Sequence, residues 1–261
     1  LHDALPIYGQ IISYLLAEDS LDARLTGFCQ WVDTAATFAE LPVGAELQQA
    51  LPDLALQARE QARSLRLYFH GPRGMGKRRV AEALARRIEA PLLIADLARA
   101  PTAVEELEAA LTTLLRAALL QEAVLYCTGI DVLLDERRIR EHHELLARIE
   151  RHPGIVILAG SQAWSRADAN LAMQVVSFPA LDSSQRRAYL QRCLAASGVA
   201  LAAAELDALA GRLQLTPEQI SGTVADALNL ARWRETLVAT GSGRARSSQP
   251  TLAELFAAAR G

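Results

Sequence analysis

Leu65-Arg66-Leu67-Tyr68-Phe69-His70 runs directly into Gly71-Pro72-Arg73-Gly74-Met75-Gly76-Lys77, and Arg78-Arg79-Val80-Ala81-Glu82-Ala83-Leu84 follows. The first piece is short, apolar and rich in strand formers. The last places Val80, Leu84 and Ile88 at i, i+4 and i+8, which predicts an amphipathic helix over 78–88. The loop between them fits GxxxxGK in the strand–loop–helix context that this motif requires. Glycines at 71, 74 and 76 permit positive φ and close backbone approach, so that successive N–H groups can turn inward on phosphate oxygens. The following helix adds the positive end of its dipole. Lys77 supplies a point charge for the β- and γ-phosphates. Phosphate binding is therefore expected of Gly71, Pro72, Arg73, Gly74, Met75, Gly76, Lys77 and Arg78, with ATP or ADP as the ligand.

Position 78 departs from the motif. A Ser or Thr hydroxyl there would bind Mg²⁺. Arg78 cannot, because a guanidinium has no lone pair to give. Magnesium binding is accordingly doubtful. Arg78 either supplies charge in place of the metal or simply opens the helix toward solvent.

Working outward, residues 65–180 alternate short apolar runs with longer amphipathic stretches, the βαβ pattern of a parallel sheet. The runs are 65–69, 92–95, 123–127, 155–159 and 174–178. Most are continuously apolar, as strands covered on both faces should be. The intervening segments carry helical stripes, for example Val104, Leu107, Leu111, Leu114 and Ala118. Residues 8–60 read as helices broken at Gly27, Pro42–Gly44 and Pro52. Residues 182–233 read as wholly helical. Asp182 with Gln185, Thr216-Pro217 with Gln219, and Thr251 with Glu254 are capping-box starts. Residues 240–250 read as a Gly/Ser/Arg linker. The expected organisation is an N-terminal helical extension (1–60), an α/β domain (61–180) and a helical domain (181–261).

The chain has 261 residues, 51% hydrophobic and 22% charged, with a net charge of −3. That composition belongs to a globular protein and excludes a disordered one. No basic excess points to nucleic acid. No run of 18 apolar residues exists to span a membrane. Cys29, Cys127 and Cys193 lie far apart without CxxC spacing, which argues against a disulfide framework and for a reducing cytoplasm. The basic residues number 27, and Lys77 is the one lysine among them. The sequence opens without Met and closes inside a helical pattern, so a fragment of a longer chain is expected. Leu1–Ile7 reads as translated adapter sequence, a plain loop or the tail of an upstream domain.

On Gly71, Pro72, Gly74, Gly76 and Lys77 the loop resembles the AAA+ ATPase phosphate loop. The resemblance extends over roughly residues 60–260. It implies a five-stranded parallel P-loop sheet with helices on both faces, followed by a small all-helical lid. The phrases Leu67–Pro72, Val156–Gly160 and Leu215–Ile220 look like the degenerate first AAA+ module of bacterial tandem-AAA+ proteins. In that group a winged-helix-like domain precedes the module and an intact AAA+ module follows. Residues 8–26 resemble the end of such a preceding domain. A nucleotide, a second AAA+ module in the same chain and a homo-oligomeric ring are the implied partners, with neither nucleic acid nor membrane among them.

The resemblance also supplies tests. The family's Asp-Glu pair should follow the strand at 123–127, where Asp holds the metal shell and Glu activates water. Here the two slots hold Thr128 and Gly129. Asp131 lies just beyond them, either as a displaced metal ligand or as a structural cap. Ser161 occupies or adjoins the polar sensor position after the strand at 155–159. The second sensor arginine is absent, with Ser221, Gly222 and Thr223 in its place. Arg166 is the one arginine in the finger interval, without the expected context. Asp131 and Ser161 are thus weak candidates for catalytic residues. An arginine finger alone is worth roughly 10³–10⁵ in rate, so losing these groups together leaves hydrolysis near background. Three readings follow: a nucleotide-holding or regulatory module with degenerate catalytic motifs, an active ATPase using Asp131 and a neighbouring subunit, or an interaction module that has lost nucleotide.

Overall fold

The computed structural model describes residues 21–164, 171–239 and 250–259. They fall into two compact units. The first takes in the described residues up to Phe38, then Val43–Pro72 and Lys77–Phe178; the second takes in Ala39–Pro42, Arg73–Gly76 and the described residues from Pro179 onward.

The first unit is built on β1 (Cys29–Val32), β2 (Leu65–His70), β3 (Leu92–Asp96), β4 (Val124–Thr128), β5 (Ile155–Gly160) and β6 (Gln174–Ser177). Their order across the sheet is β1-β3-β4-β5-β2-β6. Every pairing is parallel except β1 with β3. The expected five-stranded parallel sheet is therefore corrected to a six-stranded mixed one. The added strand, Cys29–Val32, comes from a stretch whose pattern reads as helical. Four residues carry too little periodicity to declare a strand, and pairing with β3 decides their conformation.

The helices of this unit are α1 (Ala45–Glu60), α2 (Lys77–Arg87), α3 (Val104–Leu120) and α4 (Ile139–Arg151). The break expected at Pro52 does not occur; α1 runs through it. Pro52 lacks the N–H that Gln48 would accept from, and burial of Leu51, Pro52, Ala55 and Ala58 offsets that loss. β5 is buried at all six positions, as a parallel strand covered on both faces must be. Arg66 on β2 closes the end of α4, donating to Ile149 O at 3.1 Å, to His152 O at 3.3 Å and to Glu150 O. Three helices end on non-glycine residues in the left-handed region: Ala62 (φ +48°), Glu89 (φ +52°) and Glu122 (φ +48°). Each closes a C-terminal turn in which the next residue's N–H reaches back, as Arg63 does to Ala58 O at 2.8 Å.

The second unit packs α5 (Ser183–Ala196), α6 (Ala203–Arg212), α7 (Pro217–Ala239) and α8 (Leu252–Ala258). Tyr189, Leu194, Leu206, Leu209, Ile220, Val224, Ala227 and Leu255 form its core. Capping boxes stand at Asp182/Gln185 and Thr251/Glu254. Thr216 and Gln219 exchange the same pair of bonds at 3.3 and 2.9 Å. Arg192 lies over the Tyr189 ring and donates to Ala39 O and Leu41 O, holding the 39–42 segment. Among the described residues no helix is long and apolar enough to cross a membrane.

Candidate nucleotide site

β2 lies between β5 and β6, while the chain leaving β2 proceeds to β3 on the far side of β5. The strand order thus reverses beside β2, and ligands of open α/β sheets bind at the carboxyl ends of strands at such a point. The glycine loop emerges there. Gly71 has φ +153°, and a Cβ on it would stand 2.2 Å from the Phe178 carbonyl oxygen, so glycine is required by space as well as by conformation. Its N–H donates to Gly160 O at 3.2 Å, tying the loop's first residue to the end of β5. Gly74 and Gly76 are left-handed at φ +78° and +81°. Alternating left-handed residues of this kind can turn successive N–H groups toward one centre, the geometry that receives anions. Met75 is buried and Arg73 exposed.

Lys77 opens α2. Its ammonium donates to Gly71 O and, at 2.8 Å, to Pro72 O, so the side chain spans the loop from its end back to its start. The charge sits beside the positive end of α2, where a polyphosphate gains from both. The residues present fit a nucleoside phosphate.

Arg78 turns the other way. Its Nε donates to Glu82 Oε1 at 2.9 Å, one turn along α2, and its side chain is 48% exposed. The i, i+4 spacing of Arg78 and Glu82 is a signal present in the sequence.

The end of β4 is remodelled. Thr128 closes the strand, and Gly129 is left-handed at φ +73°. A Cβ on Gly129 would lie 3.0 Å from Ala98 N and 3.1 Å from Asp96 Oδ1. The turn Ile130–Leu133 then carries Asp131 to the end of β5. Ser161 N–H donates to both Asp131 oxygens at 3.0 Å, its hydroxyl donates to Oδ2 at 2.9 Å, and Gln162 N–H donates to Oδ1 at 3.3 Å. The two catalytic candidates, Asp131 and Ser161, are therefore brought together, each satisfying the other. Tyr68 extends the cluster, its hydroxyl donating to Gln162 O at 2.7 Å. Burial, helped by the Asp131 charge, pushes the Tyr68 phenol up to about 12. Gly160 leaves room for this arrangement, since a Cβ there would meet Tyr68 Oη at 2.3 Å and Asp131 Oδ1 at 2.9 Å. Sequence reasoning missed the Tyr68–Gln162 and Asp131–Ser161 partnerships because they join residues far apart in the chain. At the place of the second sensor, Ser221 Oγ lies 3.0 Å from Tyr189 Oη within the helical unit. Arg166 lies outside the described residues.

The family model described as "ATPase family associated with various cellular activities (AAA)" matches from Leu67 to Phe178. Residues 67–178 match an AAA domain. The matched stretch holds the glycine loop, the end of β4 and the Asp131–Ser161 cluster. Solved structures share the fold. A chain from a structural study of katanin self-assembly aligns with TM-score 0.65 and 17% identity over 94% of this chain and 93% of that one. The FIGL-1 AAA domain aligns with TM-score 0.64 and 16% identity over 94% and 90%. The FIGL-1 AAA domain in complex with ADP aligns with TM-score 0.65 and 16% identity over 90% and 87%. No curated protein sequence matches the chain.

Proposed function

We propose that this chain is a nucleotide-holding AAA+ module with hydrolysis reduced to near background, acting as a scaffold or regulator beside an active AAA+ module. The carrying observation is the loop at 71–77: three glycines at positive φ and Lys77 drawn across them, between β2 and α2. Such a loop binds phosphate through backbone amides, a helix dipole and one charge, and none of these requires catalysis. Hydrolysis requires more. Gly129 carries no general base, and its left-handed backbone leaves little room for one. The Asp131 carboxylate is engaged by Ser161 and Gln162, which weighs against an ATPase that relies on it. Arg78 is paired with Glu82, which weighs against a pocket plugged by its own arginine.

The helical unit from Pro179 onward corresponds in this reading to a lid whose angle responds to bound nucleotide. Self-assembly is what a structural study of katanin describes for that protein, and a homo-oligomeric ring beside a second module is proposed here for this chain. Calorimetry with ADP and ATP, on the wild type and on Lys77→Ala, tests the reading. At least about tenfold weaker binding by Lys77→Ala is expected, since it removes a charge-assisted contact. Equal binding by both proteins, or turnover well above the Lys77→Ala background in a phosphate-release assay, refutes it.

A further inference from the structure

Magnesium accompanies nucleotide in AAA folds, and the residues around this loop do not fit it. Mg²⁺ demands near-octahedral oxygen ligands and takes one or two from the protein, usually carboxylate or hydroxyl, beside the phosphates and water. The positions around the loop that would offer a carboxylate are altered or engaged, and Thr128 at the end of β4 offers at most a neutral hydroxyl. Arg78 has no lone pair, carries a like charge and is held by Glu82. Gly129 has no side chain. Both oxygens of Asp131 accept from Ser161, and Oδ1 also accepts from Gln162. Asp96, at the end of β3, accepts from Ala98 N–H at 3.1 Å and caps its own turn. Among the described residues, no three His, Cys, Asp or Glu side chains converge on a cation site.

Resting on the nucleotide reading above, we infer that the loop takes a nucleoside di- or triphosphate without magnesium, and that Asp131 is a latch joining the ends of β4 and β5. Among the described residues, the positive charge at the loop then comes from Lys77, the start of α2 and the exposed Arg73, none of it from a metal. Two consequences follow from charge. A third phosphate adds negative charge that nothing new offsets, so ADP binds at least as tightly as ATP. Dissolved Mg²⁺ competes with Lys77 for the same phosphate oxygens, so it leaves affinity unchanged or lowers it, opposite in sign to a metal-dependent site.

The experiment is calorimetric titration of ADP and ATP into the full chain, once in EDTA and once in excess Mg²⁺, for the wild type and for Asp131→Ala. The expected result is binding in EDTA that Mg²⁺ leaves unchanged or weakens, with ADP at least as tight as ATP, and a lowered melting temperature for Asp131→Ala with the same EDTA-to-magnesium ratio. Tightening by Mg²⁺ overturns the inference while leaving the nucleotide reading intact. A ratio that moves in Asp131→Ala, or a melting temperature that does not, overturns the latch. Binding absent from both buffers overturns the nucleotide reading itself.

Discussion

Asp131→Ala tests the structural role of that carboxylate by stability as well as by ligand. The substitution removes the acceptor of Ser161 N–H, of the Ser161 hydroxyl and of Gln162 N–H at one stroke. Hydrogen bonds to a charged acceptor are worth about 1.5–3 kcal/mol net. Ser161 is exposed, so water takes over part of the loss, and the lower half of that range applies. A cost of about 2 kcal/mol in a unit of this size lowers its melting temperature by roughly 4–8 °C. Differential scanning calorimetry reads it directly, and urea unfolding should show a lower midpoint with an unchanged slope. Ser161→Ala removes the hydroxyl alone and should cost about 0.5–1.5 kcal/mol, the range of one ordinary hydrogen bond. A melting temperature within about 1 °C of wild type for Asp131→Ala, or a larger loss from Ser161→Ala, would show that the carboxylate does not latch the two strand ends.

Two further outcomes are expected. Ala62→Gly should stabilise the protein by about 0.5 kcal/mol, because a left-handed φ of +48° costs an L-residue more than glycine's extra chain entropy; unchanged or lower stability in chemical denaturation contradicts this. Stability should also fall as pH drops below about 6.5. His152 is buried beside Arg66, and burial, reinforced by that charge, lowers its folded pKa. The unfolded chain takes up the proton first, so the contribution is complete above the unfolded value and is lost as pH falls toward the folded one. His152→Gln should flatten the profile between pH 7 and 5; an unaltered profile assigns the acid sensitivity elsewhere.

Much of the architecture is local information. The glycine loop is legible because its conformational demands fall on named positions, and the strands that flank it are legible because burial on both faces makes them continuously apolar. The capping boxes at Asp182 and Thr251 are legible for the same reason: donor and acceptor sit within four residues. What escapes is set by partners distant in the chain. β1 is a strand because β3 offers it an open ladder, not because Cys29–Val32 insists on it. Asp131 has two readings in sequence, metal ligand or cap, and only the return of β5 to its side brings Ser161 within reach. Arg78 is an intermediate case. Its pairing with Glu82 follows from helical spacing, yet a guanidinium beside a phosphate loop also invites a reading as a substitute for metal. The left-handed endings at Ala62, Glu89 and Glu122 escape because glycine, the usual marker, is missing from all three.

The antiparallel strand Cys29–Val32 lies outside the stretch that matches the AAA model, yet it closes the β3 margin of the sheet. A shortened polypeptide beginning at Leu65 would leave that row of amide and carbonyl groups bare, an invitation to any passing chain. Clumping of such a piece would report a raw border, and it should not be mistaken for the protein's own manner of assembling.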